Sequence, residues 1–187
     1  MNKMKTILVV AAVMLCALPL MAQQPAKAAS TGGNSPHETT GATIGGRGGP
    51  RITLTYGRPS AKGRVIWGKL VPWNQPWRLG SDEATTIITQ QPLVIGDKTI
   101  PAGAYTLYRV PSENDVTKIA FSSALGGWGI PVNTSKDVGR FDMKKDTIPT
   151  AVEQLTLAVK GDAATGGGVL TVTWDTTQFS LPFTVAK

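Results

Sequence analysis

Arg58, Ser60, Lys62 and Arg64 stand at two-residue steps in the stretch RPSAKGR. On a single extended strand all four would point the same way, whereas Pro59 and Gly63 equally allow a turn that gathers the cations. Either arrangement presents guanidinium and ammonium donors to an anion, and Ser60 can serve the ligand or the turn's own backbone. Downstream, VPWNQPWRLGSDE places Trp73 and Trp77 at helical spacing, but Pro72 and Pro76 exclude a helix interior. The expectation is a crossing loop whose indoles cap one end of the fold and offer stacking faces to a sugar. Arg78 and the pair Asp82-Glu83 flank LGS, a tight turn in which Gly80 can take positive φ. That turn predicts a bidentate Arg78–Glu83 pair, either a structural corner or the wall of an anion-accepting cleft shared with Arg58 and Arg64.

Charge is distributed unevenly along the chain. The formal net charge is +7, yet Thr39 to Ser81 holds seven Lys or Arg and no acid, while Asp82 to Lys187 holds nine basic against eleven acidic residues. The basic block either pairs with acids of later strands or meets an anionic glycan, a carboxylate ligand or an envelope protein. Nucleic acid is not expected, since no reading-head motif is present.

Several chemistries are missing from the composition. Cys16 is the one cysteine and His37 the one histidine. Lys3 and Lys5 precede an apolar run from Ile7 to Met21, too short to span a bilayer comfortably and ending near Pro19, as in a signal peptide over residues 1–22. Leu15 occupies the place before Cys16 where a lipobox wants a small residue, so a lipid anchor is disfavoured. If Cys16 leaves with the signal, no thiolate remains for catalysis or a disulfide. Residues 23–50 are rich in Ala, Gly, Ser, Thr and Pro and read as a flexible tether that also carries His37. With His37 outside the folded part, a Ser-His-Asp triad and a His-rich zinc site are unavailable there. No metal and no cofactor is expected, because the acids are scattered and form no calcium loop. The expected location is periplasmic or secreted, with no transmembrane segment after cleavage.

The remaining elements are strand-like. ITLTY alternates Ile52, Leu54 and Tyr56 with two threonines, and LVIGDKTIPAGAYTLYRV reads as three strands turning at Gly96-Asp97 and Ala102-Gly103. QLTLAV, GVLTVTW and FSLPFTV continue the two-residue period, and Pro182 marks the last as an edge. About nine short strands over residues 51–187 predict one all-β domain. Its form is an antiparallel sandwich of jelly-roll-like or immunoglobulin-like topology, or a partly closed barrel. Leu54, Leu107, Leu157, Val172 and Phe183 are the expected core.

RPSAKGRVIWGKLVPWNQPWRLGSDEATTI, VIGDKTIPAGAYTLYRVP, DVGRFDM and VEQLTLAV together resemble the bacterial domain-of-unknown-function family 2911. The resemblance implies an exported, β-rich envelope protein and brings no reaction, ligand or catalytic residue. Ser81-Asp82 stands where that family commonly has Ala-Asn, which bears on any ligand role for Asp82. Adjacent Asp82 and Glu83 would face opposite sides of a strand and could not act on one bond, so a glycan hydrolase would need Glu153, Asp137 or Asp142 from afar. The leading expectation is therefore a non-catalytic binding module using Arg58, Ser60, Lys62, Arg64, Trp73, Trp77, Arg78 and Glu83. A carboxylate-dependent hydrolase and a purely structural assembly domain are the alternatives.

Overall fold

Strict apolar alternation, interrupted by glycine and proline turns, leaves the chain little choice but strands. The computed structural model describes residues 35–113 and 116–186. In chain order the strands are β1 (His37–Thr43), β2 (Arg51–Gly57), β3 (Trp77–Arg78), β4 (Thr86–Thr89), β5 (Leu93–Ile95), β6 (Lys98–Ile100), β7 (Gly103–Val110), β8 (Lys118–Ser122), β9 (Asp137–Asp142), β10 (Lys144–Asp162) and β11 (Gly167–Val185). One sheet runs β1-β2-β4-β7-β8-β9 with β3 alongside β7, and the other runs β10-β11-β5-β6. All pairings are antiparallel and neither sheet closes on itself, so the fold is an all-β sandwich, not a barrel.

The core lies between the sheets. Ile52, Leu54 and Tyr56 of β2 face Leu155 and Leu157 of β10, Val172 and Trp174 of β11, and Phe179, Leu181 and Phe183 farther along the same strand; all are buried. The five residues expected in the core are all there. Tyr56 ties the layers with its hydroxyl, which donates to the Leu157 carbonyl (3.3 Å) and accepts from the Leu157 amide (3.0 Å). Burial raises the Tyr56 pKa.

Two expectations about this frame need correction. The tether was expected to reach Pro50, but residues 37–43 form β1, in register with β2 from His37↔Gly57 to Thr43↔Arg51. IGGRGGP is the hairpin loop between them, closed by the Ile44 amide on the Pro50 carbonyl (2.9 Å). HETTGAT has almost no apolar surface, so its order comes from the backbone ladder and from ion pairs to distant residues. The expected signal peptide, Cys16 and the first part of the tether lie outside the described residues. Pro182, secondly, does not make β11 an edge: β11 pairs with β10 up to Ser180 and with β5 from Thr184, and Pro182 falls between those two ladders. No ladder donor is lost there. The two last sequence segments, expected as separate strands, are the two arms of the continuous stretch β11, which doubles back at Asp175 (φ 52) so that the Val185 amide reaches the Gly166 carbonyl (3.2 Å).

On the outer face of the first sheet, Tyr108 donates to Asp137 Oδ2 (2.5 Å), which also accepts from Arg140 Nε (2.6 Å). Burial and the Asp137 carboxylate push the Tyr108 phenol up to about 12 from its ordinary 10.0. A folded-state pKa above the unfolded one means the unfolded chain loses its proton first. The stabilisation is therefore intact below pH 10 and disappears as pH climbs toward 12. Denaturation between pH 9 and pH 12 should show wild-type stability falling across that window, and Tyr108→Phe should flatten the fall by about one proton's worth of slope. An unchanged slope in the variant would refute this assignment.

Candidate functional site

The RPSAKGR stretch folds as a turn, not a strand. Lys62 (φ 50) and Gly63 (φ 69) occupy left-handed backbone, and the Arg64 amide closes on the Ala61 carbonyl (3.0 Å). Arg64 then folds its guanidinium back over the turn, donating from Nε to the Ala61 carbonyl (3.0 Å) and from Nη2 to the Ser60 carbonyl (2.6 Å). The turn is pinned to β10 by a bridge between Ser60 and Gln154, by the Ala61 amide on the Glu153 carbonyl (2.7 Å), and by Glu153 Oε1 accepting the Lys62 amide (2.8 Å). Its cations are thereby fixed at one end of the sandwich, between the exit of β2 and the second sheet.

Arg58 leaves β2 on the same side and is fully engaged. Its Nε donates to the Leu155 carbonyl (3.2 Å), Nη2 to Thr156 Oγ1 (3.0 Å), and Nη1 pairs with Glu38 Oε2 (2.7 Å). It joins β1, β2 and β10, so its first role is structural.

Opposite lies the turn after β3. The expected Arg78–Glu83 pair is not what forms. Arg78 Nη1 donates to the carbonyls of Asp82 (3.0 Å) and Trp128 (3.2 Å), while Glu83 Oε2 meets His37 Nε2 at 2.8 Å. The reason is the turn's geometry: Asp82, not Gly80, takes the left-handed conformation (φ 64), which rotates Glu83 toward β1. Aspartate tolerates that conformation better than most residues, because its short polar side chain can bond locally. His37, expected in a tether, is thus a latch between β1 and the acidic turn, with Asp82 Oδ2 4.0 Å from the same nitrogen. Nothing local in the sequence signals this contact, because its partners are 46 residues apart. Gly57 allows the approach, since any Cβ there would strike the Ser81 carbonyl and hydroxyl.

These pieces enclose a cleft of about 360 Å3 open to solvent. Arg58, Ser60, Lys62, Arg64, Trp77 and Arg78 line it, six of the eight residues expected at a binding site. Trp73 and Glu83 do not. Trp73 instead stacks on Trp67 (centroids 6.4 Å apart) with Lys145 over its face, and Gly68 leaves room for its indole. Sequence reasoning missed Ser81, Leu70 and Trp174 in the wall and left Asp82, whose ligand role it weighed, out of the expected site. Asp82 is the one carboxylate in the lining, and its Oδ2 and the Ser81 Oγ are buried without a hydrogen-bond partner among the described residues.

A larger groove of about 820 Å3 lies at the tip of the β10–β11 hairpin, but Lys160 and Asp162 are its only ionisable lining groups among the described residues. Asp162 is occupied in capping its own turn through the Ala164 amide (2.9 Å) and the Thr165 hydroxyl (2.9 Å). Chemistry therefore favours the smaller cleft. Among the described residues no three His, Cys, Asp or Glu side chains gather as a metal site requires.

The family model described as "Protein of unknown function (DUF2911)" matches residues 35–183. The chain belongs to the DUF2911 family. The match takes in β1 and every strand that follows, so both sides of the cleft lie within the family domain. No curated protein and no solved structure matches the chain.

Behind the cleft sits a residue that no motif pointed to. Arg109, on β7 two positions after Leu107, is fully buried, and none of its three guanidinium nitrogens has a hydrogen-bond partner among the described residues. Its guanidinium carbon lies 4.2 Å from the centroid of Trp67, 4.9 Å from Phe179 and 5.5 Å from Trp77. Burial pushes this guanidinium down from its ordinary pKa, and the three aromatic faces act in the opposite direction. The alternation of β7 would have placed Arg109 on the core face with Tyr105 and Leu107.

Proposed function

We propose that this protein is a non-catalytic binding module exported to the cell envelope, whose basic cleft takes an anionic glycan or another carboxylate ligand. The observation that carries the reading is the gathering of Arg58, Lys62, Arg64 and Arg78 around a single carboxylate in one open cleft. Glu38 pairs with Arg58, whereas the hydrogen bonds of Arg64 and Arg78 go to neutral carbonyls. A glycan hydrolase is disfavoured, because it needs two carboxyl groups about 5–10 Å apart across the scissile bond and the cleft wall offers Asp82 alone. Export draws on Lys3, Lys5 and the apolar run from Ile7 to Met21.

Calorimetric titration against a panel of acidic and neutral glycans tests this reading. Acidic members should bind, and more weakly at physiological salt, as the screening length shrinks from about 30 Å at 0.01 M to about 8 Å at 0.15 M. Lys62→Gln and Arg64→Gln alter exposed side chains and should keep stability within about 0.5 kcal/mol while abolishing the interaction. Arg58→Ala, by contrast, should cost about 1.5–3 kcal/mol because it breaks charged hydrogen bonds between β2 and β10. Absence of binding at every salt concentration would overturn the module reading. A second reading, assembly with another envelope protein, draws on Leu125, Trp128 and Ile130, each about half exposed on the loop between β8 and β9.

A further inference from the structure

We infer that the ligand of the cleft is a hydroxylated acid, an acidic sugar that gives its carboxylate to Lys62 and Arg64 and hydroxyl donors to Asp82. The inference rests on the anion-binding reading and adds the chemistry that Asp82 and Ser81 demand. A bare anion would satisfy the cations but meet the Asp82 carboxylate in the same lining and be repelled by it. That side chain is only 13% exposed, and His37 Nε2 stands 4.0 Å from its Oδ2, beyond hydrogen-bond reach. A largely buried carboxylate short of donors is costly, and ligand hydroxyls that reach its exposed part recover some of that cost.

Two kinds of donor could do so. An ammonium group would face Lys62, Arg64 and Arg78 around one carboxylate, a net repulsive surrounding. Hydroxyl groups donate without adding positive charge, so they suit a carboxylate set among cations. The apolar part of the wall agrees with this choice. Trp77 and Leu70 line the same cleft, and the apolar surface they present there packs against the C–H groups of a sugar ring while the ring's hydroxyls point to polar groups at its edge. About 360 Å3 lies at the small end of ligand sites, which span roughly 300–1,000 Å3, and suits one or two rings better than a long chain. Trp77 is held in place by stacking on Trp174 (6.1 Å) and by the pairing of β3 with β7, so the wall is preformed.

The test compares methyl glucuronide with methyl glucoside, cyclohexanecarboxylate and 4-aminocyclohexanecarboxylate by calorimetry, on the wild type and on Asp82→Asn. Asparagine tolerates the left-handed backbone of position 82, and a thermal melt of the variant verifies that the fold is kept. Methyl glucuronide should bind at least about tenfold more tightly than the other three, and Asp82→Asn should erase its advantage over cyclohexanecarboxylate. Equal binding of methyl glucuronide and cyclohexanecarboxylate would overturn the inference and leave a plain anion site. Preference for the amino acid analogue would overturn it in favour of a zwitterion. A preference that survives Asp82→Asn would remove Asp82 from recognition. If no carboxylate binds at all, the anion-cleft reading itself fails, and the sugar acid fails with it.

Discussion

Trp174→Ala is expected to cost about 3–5 kcal/mol, which places it among the most damaging single changes in the domain. Trp174 is buried at the base of the cleft wall and bridges Trp67 and Trp77 in the aromatic cluster at this end of the sandwich. Its ring stacks on Trp77 at 6.1 Å, meets Trp67 edge-on at 6.5 Å, and its indole N–H donates to the Glu153 carbonyl (3.1 Å). Removing it leaves a void between the sheets and takes one of two donors from the Glu153 carbonyl, which keeps the Ala61 amide of the turn that carries Lys62 and Arg64. Urea denaturation should show a lower midpoint with an unchanged slope. Trp174→Phe keeps most of the packing but not the N–H, and should lose much less. A loss below about 1 kcal/mol for the alanine variant would mean that the cluster does not hold the two sheets together.

The second large effect concerns Arg109, where two substitutions should move in different directions. Burying an ion without a counter-charge costs several kcal/mol, and cation–π contacts return about 2 kcal/mol or somewhat more when desolvated. Arg109→Met keeps a long flexible side chain among Trp67, Phe179 and Trp77 while removing the charge. It is expected to leave stability unchanged or raise it by about 1–4 kcal/mol. Arg109→Ala removes the volume as well, and the cavity should cost about 2–5 kcal/mol. If methionine proves as damaging as alanine, the guanidinium itself supports the core, and the account of its aromatic surroundings as mere compensation is wrong.

Arg109 also shows where sequence reading stops. The two-residue period that put Tyr105 and Leu107 inside puts Arg109 inside too, and the same period correctly placed Ile52, Leu54, Tyr56, Phe179 and Phe183. What it does not reveal is why a cation tolerates that position, because Trp67, Trp77 and Phe179 converge on it from three separate segments. The cleft divides in the same way. Arg58, Ser60, Lys62, Arg64, Trp77 and Arg78 lie within 21 consecutive residues, so their local chemistry was visible in the chain. Trp174 reaches the same wall from the second sheet and carried no local signal.

Strand β1 was hidden for a different physical reason. Its sequence has no apolar face, and its order depends on the ladder to β2 and on the Glu38–Arg58 and His37–Glu83 pairs. The Arg78–Glu83 pair failed as an expectation because a single left-handed residue, Asp82, sets the direction of everything after it. Nothing in the local sequence marks Asp82 rather than Gly80 as the left-handed residue of that turn. Pro182 misled in turn because the second arm of β11 exchanges β10 for β5 as its neighbour within a few residues.

The most direct test of the cleft is a titration of isotopically labelled protein with methyl glucuronide, followed by backbone amide spectra. The shifts should concentrate at Ser60, Lys62, Arg64, Arg78, Ser81 and Asp82, saturate together, and diminish as salt is added. Shifts confined to the groove at the β10–β11 hairpin tip, around Lys160, Val169 and Thr184, or no shifts at any concentration, would contradict the assignment of the basic cleft as the binding site.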